Sequence, residues 1–61
     1  MDKFTVEIDC GNAAFYEVDR EYEVARILRE LADSLESGRI GKIYLHDYNG
    51  NRVGAAKFEE C

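Results

Sequence analysis

Proline is absent from this chain of 61 residues, and cysteine and histidine are scarce, with two of the first and one of the second. Without proline no stretch is barred from helix or strand, and no Pro-rich linker divides the chain, so one domain over 1–61 is expected. Cys10 follows the first strand pattern and Cys61 is the last residue, a poor pair for a disulfide. With no signal-peptide pattern at Met1-Asp2-Lys3, a reduced, cytoplasmic protein is expected. Two cysteines and one histidine supply no zinc spacing. No apolar run approaches the ~18 residues of a membrane span. Gly11, Gly38, Gly41, Gly50 and Gly54 are scattered, and none opens a helix after a strand as a phosphate loop requires. Basic residues are also in deficit, 8 against 13 acidic, and the net charge of -5 disfavours phosphate backbones as ligands.

The residues that could carry catalysis do not converge. His46 adjoins Asp47, but neighbours in a strand point to opposite faces, so the two cannot form an orienting pair. Cys10 has the parity of the apolar strand positions and turns toward the core, and Ser34 and Ser37 sit together at a helix end without a base to activate them. Asp47, Asn49 and Asn51 alternate like the first ligands of a calcium loop, yet the sixth and twelfth positions, where that loop needs Gly and Glu, hold Arg52 and Phe58. They read instead as turn-formers. The chain is therefore expected to be non-enzymatic, with no cofactor and no metal.

What the chain does contain is clear periodicity. Phe4-Thr5-Val6-Glu7-Ile8-Asp9 alternates without a break, which predicts a half-buried strand, and Cys10-Gly11-Asn12 ends it. Residues 13–18 read as a connection with one helical turn in which Phe15 enters the core. From Glu21 to Gly38 the chain predicts an amphipathic helix capped by Asp19. Its expected stripe is Val24, Ile27, Leu28, Leu31 and Leu35, and its outer face carries Glu23, Arg26, Arg29, Glu30, Asp33 and Glu36. Two strand patterns follow, Ile40 to Tyr48 and Arg52 to Phe58, joined at Asn49-Gly50, a strong hairpin signal. A two-residue loop would pair Leu45 with Gly54 and Ile43 with Ala56. A three-residue loop, Tyr48-Asn49-Gly50 with Gly50 left-handed, would pair Leu45 with Val53 and set Tyr44 across from Gly54; this second register is preferred because it matches apolar residues on the core face.

The expected fold class is α+β, a two-layer β-α-β-β arrangement with a three-stranded sheet, order 1-3-2 favoured over one with the second strand in the middle, and one amphipathic helix on one face. The small residues Gly54, Ala55 and Ala56 of the central strand are expected to admit the helix closely. One sheet face stays uncovered, bearing Thr5, Glu7, Lys42, Tyr44, His46, Ile40 and Phe58. An aromatic cluster on an open face points to an interaction surface, so Tyr44, His46, Phe58 and Glu7, with Glu23, Glu30 and Asp33 on the acidic helix face, are the candidate binding residues. Three functions are compatible: a module that binds another protein, a homodimer built by pairing an exposed first or second strand, and a small single-stranded nucleic-acid binder, which the shortage of basic residues disfavours.

The segments IDCGNAAF, ARILRELADSLESG and LHDYNGNRVG together resemble short proteins encoded by bacteriophages and prophages. The resemblance spans most of the chain, and its motifs are structural: a strand exit, an amphipathic helix and an Asn-Gly hairpin. It implies a small phage accessory protein acting in the host cytoplasm on a host protein, a class that includes inhibitors of bacterial defence such as anti-CRISPR proteins. It brings no catalytic residues with it.

Overall fold

Alternation makes the first strand. The computed structural model describes residues 2–38 and 41–60, without the side chain of Glu60. Met1, Ile40 and Cys61, named above, lie outside the described residues. β1 (Asp2–Ile8) turns Phe4, Val6 and Ile8 to one side, and after it a single helical turn, α1 (Ala14–Glu17), buries Phe15 as expected, and Ala14 with it. The turn is held by Asn12, whose Oδ1 accepts from the Ala14 N–H at 2.9 Å. α2 (Arg20–Glu36) starts at Asp19, which stands at the cap position without a side-chain capping bond, and stops where Gly38 takes φ 91°. β2 (Ile43–His46) and β3 (Arg52–Glu60) complete a sheet of order β1-β3-β2, with β3 antiparallel to both neighbours. The α+β class and the strand order agree with the sequence reading.

One core joins the layers. Phe15 from α1, Ile27 and Leu31 from α2, Ile43 and Leu45 from β2, and Val53 and Ala56 from β3 are all buried in it. The helical stripe is centred differently from expectation. Leu28 is exposed, Val24 and Leu35 are half-buried, and Glu23 takes a buried place one turn before Ile27. Helix positions 23, 27 and 31 share one face, Ile27, Glu30, Leu31 and Ser34 border β2, and Leu28 lies on the flank turned away from β2.

The hairpin combines the two registers the sequence poses. Its loop is Tyr48-Asn49-Gly50, closed by Asp47 N–H to Asn51 O at 2.9 Å and Gly50 N–H to Asp47 O at 3.0 Å, with Gly50 at φ 87°. His46 then faces Arg52, as that loop dictates, but Leu45 faces Gly54 and Ile43 faces Ala56. Val53 is the extra residue, a β-bulge, and beyond it every side chain of β3 changes face. The preferred register is therefore corrected over the body of the strand, and Tyr44 lies opposite Ala55, not Gly54. The gain is chemical. Unbulged, β3 would turn Lys57 to the core side and Phe58 outward; bulged, it turns Val53, Ala56 and Phe58 to the helix side and Lys57 to solvent.

Gly54 sits at the bulge for a reason other than helix approach. A Cβ placed there would lie 1.9 Å from the Glu7 carbonyl oxygen, so it is the backbone of β1 that demands glycine. Ala56, wholly buried, is the small residue that lets the layers close. The molecule is elongated, 38 × 22 × 17 Å, because β1 and β3 run on together past the short β2.

Candidate functional site

Two surfaces arise from this arrangement, and the bulge sorts the candidate residues between them. On the open sheet face, Tyr44 projects from β2 and remains 47% exposed. Arg52, whose partner His46 is two residues along β2 from Tyr44, brings its guanidinium carbon to 4.7 Å from the Tyr44 ring centroid, and Lys42 brings Nζ to 5.4 Å. The ring is thus flanked by two cations, each attracted to its π face. Thr5, Glu7, Ala55 and Lys57 extend the same face into an open trough of about 660 Å³. Three cations, Lys42, Arg52 and Lys57, therefore gather on one face of a chain whose net charge is -5.

His46 and Glu7 share this face with Tyr44, as expected from alternation. Phe58 does not. It stands opposite Phe4 on the helix side, with ring centroids 4.6 Å apart, so its assignment to the open face is corrected by the bulge. Arg52 and Lys57 are the residues the sequence reading missed here. A signal was present in the interior glycine of β3 and in the apolar spacing Val53, Ala56, Phe58, which departs from strict alternation by one residue.

The second surface, the acidic helix face, is smaller than the sequence suggests. Glu23 is only 1% exposed and belongs to a polar clasp at the hairpin end, which corrects its place among the surface candidates. Its Oε1 accepts from Arg26 Nε at 2.8 Å, and its Oε2 accepts from Arg26 Nη2 and from the Tyr48 backbone N–H, both at 2.9 Å. Arg26 Nη1 also donates to Glu30, and Nη2 reaches the His46 carbonyl at 3.3 Å. The Arg26 bonds hold the Glu23 carboxyl below its ordinary range, against the opposing effect of burial, and the Tyr48 N–H adds to them. Glu30 and Asp33 remain exposed on the outer side, with Glu30 tied to Arg26.

Asp47 is the other buried carboxylate. Burial pushes it up, and hydrogen bonds from Asn12, from the Asn51 backbone and side chain, and from the Asn49 backbone outweigh this and bring it below its ordinary value. Its oxygens face N–H donors, Asn12 Nδ2 at 2.6 Å and the Asn49 and Asn51 N–H groups at 2.9 Å, which makes it the organiser of the hairpin loop. Tyr48 completes the clasp by donating its hydroxyl to Glu17 at 2.6 Å. These bonds tie α1, α2 and the hairpin together, and they identify the clasp as structural.

The residues considered for catalysis stay apart. Cys10 packs against the core beyond the end of β1, while His46 is exposed on β2, with β3 between the two edge strands. Ser37 Oγ donates to the Ser34 carbonyl at 2.8 Å. Among the described residues, no group of three or more His, Cys, Asp or Glu side chains is placed to hold a metal ion, and no helix is long and apolar enough to cross a membrane. No family model, curated protein or solved structure matches the chain.

Proposed function

We propose that this chain is a non-enzymatic binding module that engages a protein partner through the open face of its sheet. The observation that carries the reading is Tyr44, held half-exposed between Lys42 and Arg52. An aromatic ring with a cationic rim is a common anchor in protein interfaces, where Tyr and Arg are over-represented among residues that dominate affinity. The chemistry it fits is a segment carrying an apolar side chain beside a carboxylate. The acidic helix face is the weaker candidate, since Glu23 is buried and Glu30 is paired with Arg26. The phage accessory proteins that the sequence resembles supply the context: a host protein as partner, met in the host cytoplasm, with an inhibitor of host defence as one member of that class.

The test is affinity capture from a bacterial host lysate with the intact chain, beside Tyr44→Ala and Arg52→Ala. Both variants alter exposed side chains and are expected to fold normally. The reading expects a protein retained by the parent chain, released as salt rises, and bound at least about tenfold more weakly by either variant. A partner held equally by all three chains would place the interface elsewhere and overturn the reading.

A further inference from the structure

Among the described residues, the outer edge of β1 pairs with no other strand, and β1 is built as a regular strand. β1 lies at the margin of the sheet, runs seven residues without a bulge and has no proline to block its edge. Asp9, one residue past β1, donates its N–H to Val53 O at 2.8 Å, and by antiparallel alternation Lys3, Thr5 and Glu7 also direct their backbone groups to β3. The N–H and C=O groups of Asp2, Phe4, Val6 and Ile8 consequently point away from the sheet. The opposite margin, β2, is only four residues long.

Side chains beside this edge are also short of cover. Phe4 and Val6 face the helix layer, yet remain 36% and 37% exposed, and α2 packs on β2 at the other side of the sheet. Phe58, packed against Phe4 with the rings tilted by 45°, is 57% exposed. An exposed edge with an apolar margin is a template for another strand.

We propose that the chain forms a two-fold symmetric dimer in which β1 pairs antiparallel with β1 of a second copy, centred on Thr5. The register follows from the strand itself. Because even-numbered residues present the free backbone groups, paired residue numbers must sum to an even value, and centring on Phe4, Thr5 or Val6 satisfies this. Centring on Thr5 uses the whole of Asp2–Ile8. It places Phe4 opposite Val6 of the second copy, in a hydrogen-bonded pair on the helix side. On the other side it places Lys3 opposite Glu7 of the second copy, and by symmetry Glu7 opposite Lys3. Apolar meets apolar and opposite charges meet twice, as favourable cross-strand pairing requires. The product is one six-stranded sheet in which the exposed Phe4, Val6 and Phe58 of the two copies adjoin. Tyr44 is on the far strand of each copy, so this interface leaves the Tyr44 anchor free and shares with the open face only its β1 margin, Thr5 and Glu7.

The experiment is sedimentation equilibrium of the full chain from low micromolar to about 1 mM, the range in which weak interfaces reveal themselves. The expected result is reversible association toward twice the chain mass of 7.0 kDa. Val6→Pro removes an outward N–H while sparing the bonds to β3, and is expected to abolish association with the circular dichroism of the monomer retained. Lys3→Glu and Glu7→Lys each set like charges together twice and are expected to weaken self-association by about tenfold. An equimolar mixture of those two variants restores both opposite-charge pairs and is expected to associate as the parent does. A parent chain that stays at 7.0 kDa throughout overturns the proposal. So does a dimer whose affinity is the same in both charge variants and in their mixture.

Discussion

At the residue scale, the most constrained position is Gly54. The Glu7 carbonyl lies where a side chain would begin, and because the obstruction is backbone it cannot swing aside. Gly54→Ala must push β1 away from β3, at a cost of about 3 kcal/mol. That is a large share of the roughly 3–9 kcal/mol expected for a domain of this size. Urea unfolding monitored by circular dichroism measures it, and a midpoint unchanged from the parent would show that the strands are not this close. Glu23 is the second such residue. Glu23→Gln keeps the shape but leaves the Arg26 guanidinium without its buried counter-charge, and is expected to lower stability by about 2 kcal/mol, less than for a fully buried pair because Arg26 is partly exposed.

At the element scale, the packing of α2 on β2 makes a contrast between two leucines that the helical stripe alone treats as equals. Leu31 is buried with Ile27, Ile43 and Leu45 in the core, whereas Leu28 is exposed on the helix flank turned away from β2. Leu31→Ala is expected to cost about 3 kcal/mol by opening a cavity, and Leu28→Ala under about 1 kcal/mol in the monomer. Thermal melts at low protein concentration check this; equal losses would place the helix squarely over all three strands. The stripe was legible in the sequence, but its centre was not. Glu23 reads as a surface charge in a first helical turn with a local partner in Arg26, and only the Tyr48 N–H, supplied by the hairpin, makes it a buried acceptor. The spacing of Glu23, Ile27 and Leu31 was a hint that it shares their face.

At the scale of the whole molecule, the clasp predicts how stability depends on pH. Glu23 and Asp47 both have lower pKa values folded than their ordinary 4.5 and 3.8, so the native state binds fewer protons than the unfolded chain. Their contribution is fully present above the ordinary values and is lost as pH falls through the folded ones. Asp19, raised by its hydrogen bond and charge interaction with Glu21, acts in the opposite sense, and Glu21, lowered mainly by Arg20, offsets it. Thermal melting temperatures are therefore expected to be level from pH 7 to about 5 and to drop below about pH 4. Glu23→Gln is expected to show a lower plateau and a shallower acid limb; an acid limb as steep as the parent's would remove Glu23 as its source.

Sequence alone determined the elements and their order, because hydrophobic period, the Asn-Gly turn and the helix-ending glycine are local properties that short stretches express by themselves. It likewise placed Phe15 in the core and Tyr44, His46 and Glu7 on one open face, since alternation within a strand needs no partner. Tertiary structure decided what depends on two segments meeting. The bulge at Val53 arises where β3 must satisfy β1 and β2 at once, and it sends Phe58 to Phe4 and Lys57 to the open face. The burial of Glu23 under the Tyr48 N–H has the same origin, a contact between residues 25 apart that no single stretch encodes, and the Arg52 flank of Tyr44 exists only because the hairpin closes.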